Sequence, residues 1–555
     1  MTTDENLRCV IIGEGTLPIL CGEILRERGH EILALVSPDP LVSRWARSNA
    51  IAHATEPSAL TTLLEARPFD YLLSIVNFQR LPDALLKAAR RYAINYHDSP
   101  LPRYAGMHAT SWALLHGETR YAVTWHVMTR QVDAGDILKQ VPVDIDPDDT
   151  ALSLNAKCYE AAVIGFRALL DDMEADAIDP RPQNPAERSF FRRSQRPPAG
   201  CTLPFDAPAE HLHALLRALD FGPYTNPLGL PKIALGESFA IVTELDVLDS
   251  RSGELPGTLV AITPETLVVT TASDDVALAG FFTIDGAPMA IAEVVERGAF
   301  RPGARVAAVE NARAARLDAL CAELSEHETF WLAQLTQARP TELPCMLRPA
   351  GPLQRIARHG LALDGDSQWF AMPASEHEGD RLLAAFMVYL ARLTGAGSID
   401  IGFSDPRLCA ELGDLHPYFS TCVPLRTTGD LDGSFTQFAQ AFDIQLGQLR
   451  TRRSYARDAP LRDPALRAQL DAADTSAWPI GVEMSESVDS APTTPLPRGR
   501  VLTMRLGTDG KTCTLWYDPG VLDPALVEGI SRQFVAFLRV LTNCTEQLIW
   551  TLPLL

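Results

Sequence analysis

Little in this 555-residue chain suits a membrane, a nucleic acid or a nicotinamide dinucleotide. No apolar run reaches the roughly eighteen residues that cross a bilayer, and the opening MTTDENLRC is too polar for a secretory signal. A soluble, cytoplasmic protein with no membrane partner is expected. Lys and Arg number 49 against 70 Asp and Glu, a net charge of −21. That deficit of positive charge disfavours a large phosphate-binding surface, so no nucleic acid is expected as partner. One short basic run, Arg188, Arg192, Arg193 and Arg196, reads most simply as a solvated interdomain loop. The ten cysteines contain no C-x-x-C pair. Cys9, Cys21, Cys158 and Cys321 sit among apolar residues and read as small core residues in a reducing compartment. Gly13-x-Gly15 lacks the third glycine of the dinucleotide fingerprint, and no acidic residue is clearly placed about twenty positions on, so it reads as a turn. The twelve histidines include no adjacent pair. His211-x-His213 lacks a Cys or carboxylate at ligand spacing, and no metal is expected.

What is present has a clear order. Apolar runs at 9–13, 31–36, 71–76 and 92–96 alternate with helical patterns at 17–28, 43–49 and 81–91. This predicts a Rossmann-like parallel sheet with helices on both faces. A helix at 108–116, a strand pair at 122–128 and 137–143, and a long amphipathic helix at 152–171 complete a first domain, 1–190. A Pro- and Arg-rich linker at 179–200 ends it. After a helix at 207–219, short strand patterns at 239–247, 257–263, 266–271, 276–283 and 290–295 predict a small OB-like barrel over 200–303. The remainder, 305–555, reads as an α+β lobe. It has helices at 382–394, 435–450 and 524–541, and strands at 398–406, 418–426, 501–506 and 513–517.

The chemistry concentrates in Ile94-Asn95-Tyr96-His97-Asp98-Ser99-Pro100-Leu101-Pro102 and in Val132-Asp133-Ala134-Gly135-Asp136. Asn95 and His97 lie at the carboxyl end of a predicted strand, where ligands bind in open α/β sheets. An amide and an imidazole can hold a developing oxyanion. A carboxylate at Asp133 can set the imidazole tautomer and take up a proton through the imidazole or through a water. Those three groups suit acyl transfer to an amine.

The pattern N-x-H-x-S-x-L-P followed by D-x-G-D resembles the formyltransferases that use 10-formyltetrahydrofolate, including those acting on methionyl-tRNA, glycinamide ribonucleotide and sugars. The resemblance runs to about residue 300, with Leu255-Pro256-Gly257-Thr258 matching a turn of the tRNA-type barrel. It implies Asn95, His97 and Asp133 as catalytic residues. It implies Ser99, Pro102 and Gly106 as loop-shaping residues, with Ala105 where the family carries an arginine. The folate donor would lie against Asn77, Phe78, Gln79 and Leu81 and beside Val132. Phe78 and Leu81 also fit plain core positions.

From near Glu328 to the end, IDIGFSDPRL, HPYFSTCVPLR and LWYDPGVLDPALVEGISRQFVAFLRVL resemble the C-terminal half of nonribosomal peptide synthetase condensation domains. The final TLPLL resembles the segment that precedes an adenylation domain. The catalytic H-H-x-x-x-D-G of that family is missing, so this lobe is expected to dock rather than condense. Together the two resemblances imply an N-formyltransferase acting on an amino acid held by a carrier protein, with an aminoacyl carrier or adenylation domain as partner, in antibiotic or siderophore assembly. Alternatives are a free acceptor such as hydroxyornithine or an amino sugar, tRNA, hydrolysis of the donor, or a scaffold whose site is vestigial. The stretch Leu363-Asp364-Gly365-Asp366-Ser367 resembles a carrier-protein attachment serine but lacks the helical setting, and a turn is expected there.

Overall fold

A computed structural model describes residues 6–60, 67–344, 356–361, 363, 378–427, 431–472, 478–488 and 500–553. The first sheet is built from β1 (Arg8–Gly13), β2 (Glu31–Val36), β3 (Ala52–Ala54), β4 (Tyr71–Ile75) and β5 (Tyr92–His97), with β7 (Arg120–Val127) and β8 (Ile137–Asp144). Its order is β3-β2-β1-β4-β5-β7-β8. The strands through β5 pair in parallel, whereas β5–β7 and β7–β8 are antiparallel. The sheet is therefore mixed and mostly parallel, which corrects the expectation of an all-parallel sheet. The short link between β7 and β8 permits only a hairpin, since a parallel return needs a longer crossover.

Helices α1 (Leu17–Glu27), α2 (Pro40–Ser48), α3 (Asp83–Ala88), α4 (Ala109–Leu115) and α5 (Ala151–Glu174) complete this domain. Helix α5 starts on a capping box between Thr150 and Ser153. Its buried face, Leu154, Cys158, Ala161, Ala162, Phe166 and Leu169, follows helical spacing. Fully buried Trp125 on β7 packs between Tyr96 and Phe166 and donates its indole N–H to the Ala162 carbonyl at 3.2 Å. That contact seats β5 and β7, the two strands that carry the candidate site, on one helix. Cys9, Cys21 and Cys158 are buried, while Cys321 is partly exposed.

The expected barrel is a curled, open antiparallel sheet. Its path runs β10 (Lys232–Leu235), β11 (Ser238–Val247), β14 (Val276–Thr283), β13 (Leu267–Val269) and β12 (Leu259–Ile262), with β15 (Pro288–Met289) on β14. The strand expected at 290–295 is instead helix α7 (Ile291–Arg297), with Ile291 and Val294 buried at an i, i+3 spacing. A short apolar run cannot by itself distinguish strand from helix. Helix α6 (Ala209–Ala218) carries exposed His211 and half-buried His213. One buried apolar cluster runs from Ile11 and Trp112 through Leu203, Leu212 and Ile233, so the first two units share a core.

The C-terminal lobe follows helices α8 (Asn311–Ser325) and α9 (Glu328–Gln337). Its sheet runs β16 (Ala357–Leu361), β21 (Cys513–Tyr517), β20 (Leu502–Gly507), β19 (Ile480–Ser485), β17 (Asp400–Ser404) and β18 (Val423–Arg426). It is mixed: β17–β19 and β19–β20 are parallel and the other pairs antiparallel. The expected strand at 418–426 is strand only in its second half, the residues before it being a 3-10 turn over Gly413–Tyr418 and a bend. Helices α10 (Glu378–Thr394), α11 (Phe435–Arg452) and α12 (Pro524–Asn543) lie where the sequence pattern put them. The 364–367 part of the expected 363–367 turn and the last two residues of TLPLL lie outside the described residues. Among those described, no helix is long and apolar enough to cross a membrane.

Candidate active site

Asn95 and His97 leave β5 at its carboxyl end, on the same face of the pleat. The antiparallel register with β7 sets His126 opposite Asn95 and Thr124 opposite His97. Asp133 reaches the same place from the loop between β7 and β8. The structure thus brings the three expected residues together and adds a fourth, His126, which is 2% exposed. His126 was legible only as the alternate position to Thr124 in a predicted strand.

Each imidazole has one nitrogen committed to the backbone. His97 Nε2 lies 2.9 Å from the Tyr104 carbonyl and donates to it. Its Nδ1 therefore faces the site, 3.8 Å from both Asp133 Oδ2 and Asp98 Oδ1. That is an ion-pair separation, longer than a hydrogen bond. His126 Nδ1 donates to the Val127 carbonyl at 2.9 Å, leaving Nε2 3.2 Å from Asn95 Nδ2 and 3.6 Å from Asp133 Oδ1. Asn95 Nδ2 also donates to the Tyr96 carbonyl at 2.9 Å. Both amide hydrogens of Asn95 thus have protein acceptors, and donating to an oxyanion requires the amide to release one.

Asp133 is set firmly. Its side chain is 10% exposed, and Oδ2 accepts the Gly106 N–H at 2.9 Å. Burial pushes its pKa up, but His97, His126 and the Gly106 amide more than offset that and hold it well below the usual carboxylate range. Burial lowers the pKa of His97. The Asp133 and Asp98 carboxylates and the Tyr104 carbonyl outweigh it, so the net shift is upward. The site thus pairs an ionised carboxylate with an imidazole biased toward its charged form.

The loop-shaping residues have visible tasks. Ser99 Oγ donates to the Arg103 carbonyl at 2.9 Å, and the Ser99 carbonyl accepts from Thr124 Oγ1 at 2.6 Å. Pro102 is buried behind a cis peptide bond with Leu101. Gly106 has φ of +99°, and a Cβ there would sit 2.1 Å from the Phe191 carbonyl oxygen. Only glycine fits. Ala105 is fully buried.

On the expected folate side, Asn77 closes its own loop. Its Nδ2 bonds Ser74 Oγ and the Gln79 carbonyl, and its Oδ1 accepts the Gln79 N–H. Phe78 is 51% exposed and Gln79 is exposed. Leu81 packs on the buried cluster of Val10, Leu33 and Leu72, so its side chain serves the core. Arg80 Nη2 donates to the Arg130 carbonyl at 3.2 Å, joining this loop to the one that carries exposed Val132. Among the described residues no His, Cys, Asp and Glu cluster has the makings of a metal site.

Residues 35–170, which contain this whole constellation, match the family model described as formyl transferase. The N-terminal domain is that of a formyltransferase-family enzyme. Similar solved structures include the sugar 3N-formyl transferase WlaRD, in the presence of dTDP and 5-N-formyl-THF, at 16% identity over 50% of this chain and 98% of that one, TM-score 0.40. An N-formyltransferase from Helicobacter canadensis matches at 16% over 50% and 99%, TM-score 0.40. HypX from Aquifex aeolicus matches at 16% over 53% of this chain and 47% of that one, TM-score 0.38.

The linker expected to be a solvated loop is built into this site. Arg188 donates to the Val132 and Asp133 carbonyls at 2.8 and 2.9 Å. Gln183 Nε2 donates to the Asp133 and Gly135 carbonyls at 3.2 and 2.7 Å. Arg196 is largely buried and lies 3.6 Å from Glu328. Arg192 and Arg193 are exposed, as a solvated loop requires. Gln183 carried no signal in the sequence and Arg188 only its place in a basic run, because their contacts are with backbone carbonyls about fifty residues away.

Proposed function

We propose that this enzyme transfers the formyl group of 10-formyltetrahydrofolate to the amine of an amino acid, held on a carrier protein during nonribosomal peptide assembly. The carrying observation is the convergence of Asn95, His97 and Asp133 inside the region that matches the formyl transferase family. The incoming amine attacks the formyl carbon and negative charge develops on the formyl oxygen. His97, protonated on Nδ1, supplies a positive donor there, and its Nε2–H stays with Tyr104. Asn95 adds a second donor when its amide turns from His126. The ionised Asp133 takes the proton the amine loses, directly or through water, and returns it to N10 of the folate as the bond between that nitrogen and the formyl carbon breaks and tetrahydrofolate leaves.

The residues present suit a folate on the formyl-donor side. Exposed Phe78 and Val132 offer apolar flanks, and the loops that bear them meet through Arg80 and Arg130. Backbone groups of those loops would bond the pterin edge.

The carrier-bound acceptor rests on the condensation-like motifs of the C-terminal lobe, which has its own apolar core and no adjacent histidine pair. The experiment mixes the enzyme with 10-formyltetrahydrofolate and a panel of aminoacyl carriers, free amino acids and amino sugars, then weighs each acceptor. A carrier-bound amino acid is expected to gain the mass of one formyl group. Faster formylation of a free amine would overturn the carrier assignment. No gain on any acceptor would overturn the transferase reading.

A further inference from the structure

We propose that Gln183 and Arg188 are positioning residues for catalysis, holding the Asp133 carboxylate in place through the turn at 132–135. The proposal rests on the reading of Asp133 as the proton acceptor.

Asp133 has φ of +50°, a left-handed conformation that side chains other than glycine adopt uncommonly. Such a residue persists only where its surroundings over-determine it. Here four hydrogen bonds do so, two from the Gln183 amide and two from the Arg188 fork. The Asp133 carbonyl accepts from both. The guanidinium is a charged, planar donor suited to reaching two carbonyls at once. It also lies 5.5 Å from the centre of the Phe190 ring, which limits its swing.

The segment bearing these side chains is itself pinned at both ends. Arg181 exchanges two backbone bonds with Ile137, at 2.8 and 2.9 Å. Downstream, β9 (Phe190–Phe191) pairs in parallel with β6 (Ala105–Gly106). Ser189 accepts the Ala105 N–H on its carbonyl and the Tyr104 N–H on its hydroxyl. That pairing sets the Gly106 N–H that bonds Asp133 Oδ2. One strap, 181–191, therefore fixes both the backbone of Asp133 and the amide that aims its carboxylate.

Gln183 adds a second indication. Its Oε1 is buried and has no hydrogen-bond partner among the described residues. A buried orphan acceptor is costly, and stability alone favours an apolar residue in its place. The arrangement is explained if the two N–H bonds to the turn matter more than the orphaned oxygen.

The test compares Gln183→Leu and Arg188→Met with the wild-type full chain. It measures kcat and KM for formyl transfer, thermal unfolding, and the titration of His97 by NMR, assigned through His97→Gln. Both variants are expected to lose about ten- to a hundredfold in kcat, the scale set by a misplacement of about 1 Å, with a smaller change in KM. Both are expected to titrate His97 lower than wild type, because a loosened Asp133 supports its charge less. A merely electrostatic Arg188 predicts the opposite sign, since losing a nearby cation raises the His97 pKa. Arg188→Lys keeps the charge without the fork; it is expected to recover part of kcat, and it replaces Arg188→Met if that variant does not fold. Unchanged kcat and unchanged His97 titration in folded Gln183→Leu would overturn the proposal. If Asp133→Asn stays active, the reading of Asp133 fails instead. If Asp133→Asn is inactive while the strap variants match wild type, only the positioning proposal fails.

Discussion

The Gly106 amide N–H donates to Asp133 Oδ2 at 2.9 Å, joining a loop that follows β5 to one that follows β7. A backbone donor cannot be deleted by side-chain substitution, so this contact is durable anchoring. It leaves Asp133 Oδ1 turned toward His126 at 3.6 Å, with Oδ2 also 3.8 Å from His97. One carboxylate thus stands between two imidazoles.

Gly106→Ala follows directly from that contact. The added Cβ has no room beside the Phe191 carbonyl, and φ of +99° is unfavourable for alanine. The variant is expected to lose more than about 1 kcal/mol of stability and to transfer formyl more slowly. Thermal unfolding and a turnover assay check both. A variant as stable and active as wild type would contradict the anchoring role.

Asp133→Asn and Asn95→Ala are expected to lower kcat on the order of 100-fold or more, as loss of a charge-stabilising group does. His126→Phe is expected to lower kcat less, because His126 orients Asn95 and flanks Asp133. Single-turnover rates with a fixed acceptor rank the three. An inactive His126→Phe beside an active Asn95→Ala would reverse the assignment.

The pH dependence of stability should carry the His97 signature. The folded pKa of His97 lies above its ordinary 6.5. A raised pKa means the stabilisation is fully present below about pH 6.5 and is lost as pH rises through the folded value. Asp133 is shifted the other way, so its contribution is present above about pH 4 and is lost on further acidification. In Asp133→Asn the unfolding midpoint should lose the step just above pH 6.5. Parallel curves for variant and wild type would exclude the coupling.

A buried ion cluster joins the second unit to the C-terminal lobe. Lys232 on β10 bonds Asp458 at 2.5 Å, Arg462 bonds Asp458 at 3.1 Å, and Arg462 forks onto Glu328 at 2.6 and 3.1 Å. Removing one member strands buried charge. Asp458→Ala is expected to cost about 3–5 kcal/mol. Denaturant unfolding should then show the lobe releasing before the first two units. A single transition at the wild-type midpoint would show that the cluster does not hold the lobe.

Most strand and helix periods, the carboxyl-edge position of Asn95 and His97, and the residue types that point to acyl transfer are legible in the order of residues alone. These are local signals: alternation, helical spacing, turn residues and a short motif. What depends on distant partners emerges only on folding. The β5–β7 register brought His126 opposite Asn95, and the fold of the 181–191 strap put Gln183 and Arg188 on the Asp133 turn. It also turned the run at 290–295 from strand to helix and left the second sheet open. Hydrogen bonds to backbone carbonyls leave no mark in residue pattern, since every residue carries the same acceptor. The polar contacts that aim the Asp133 carboxylate were for that reason readable only once the chain was folded.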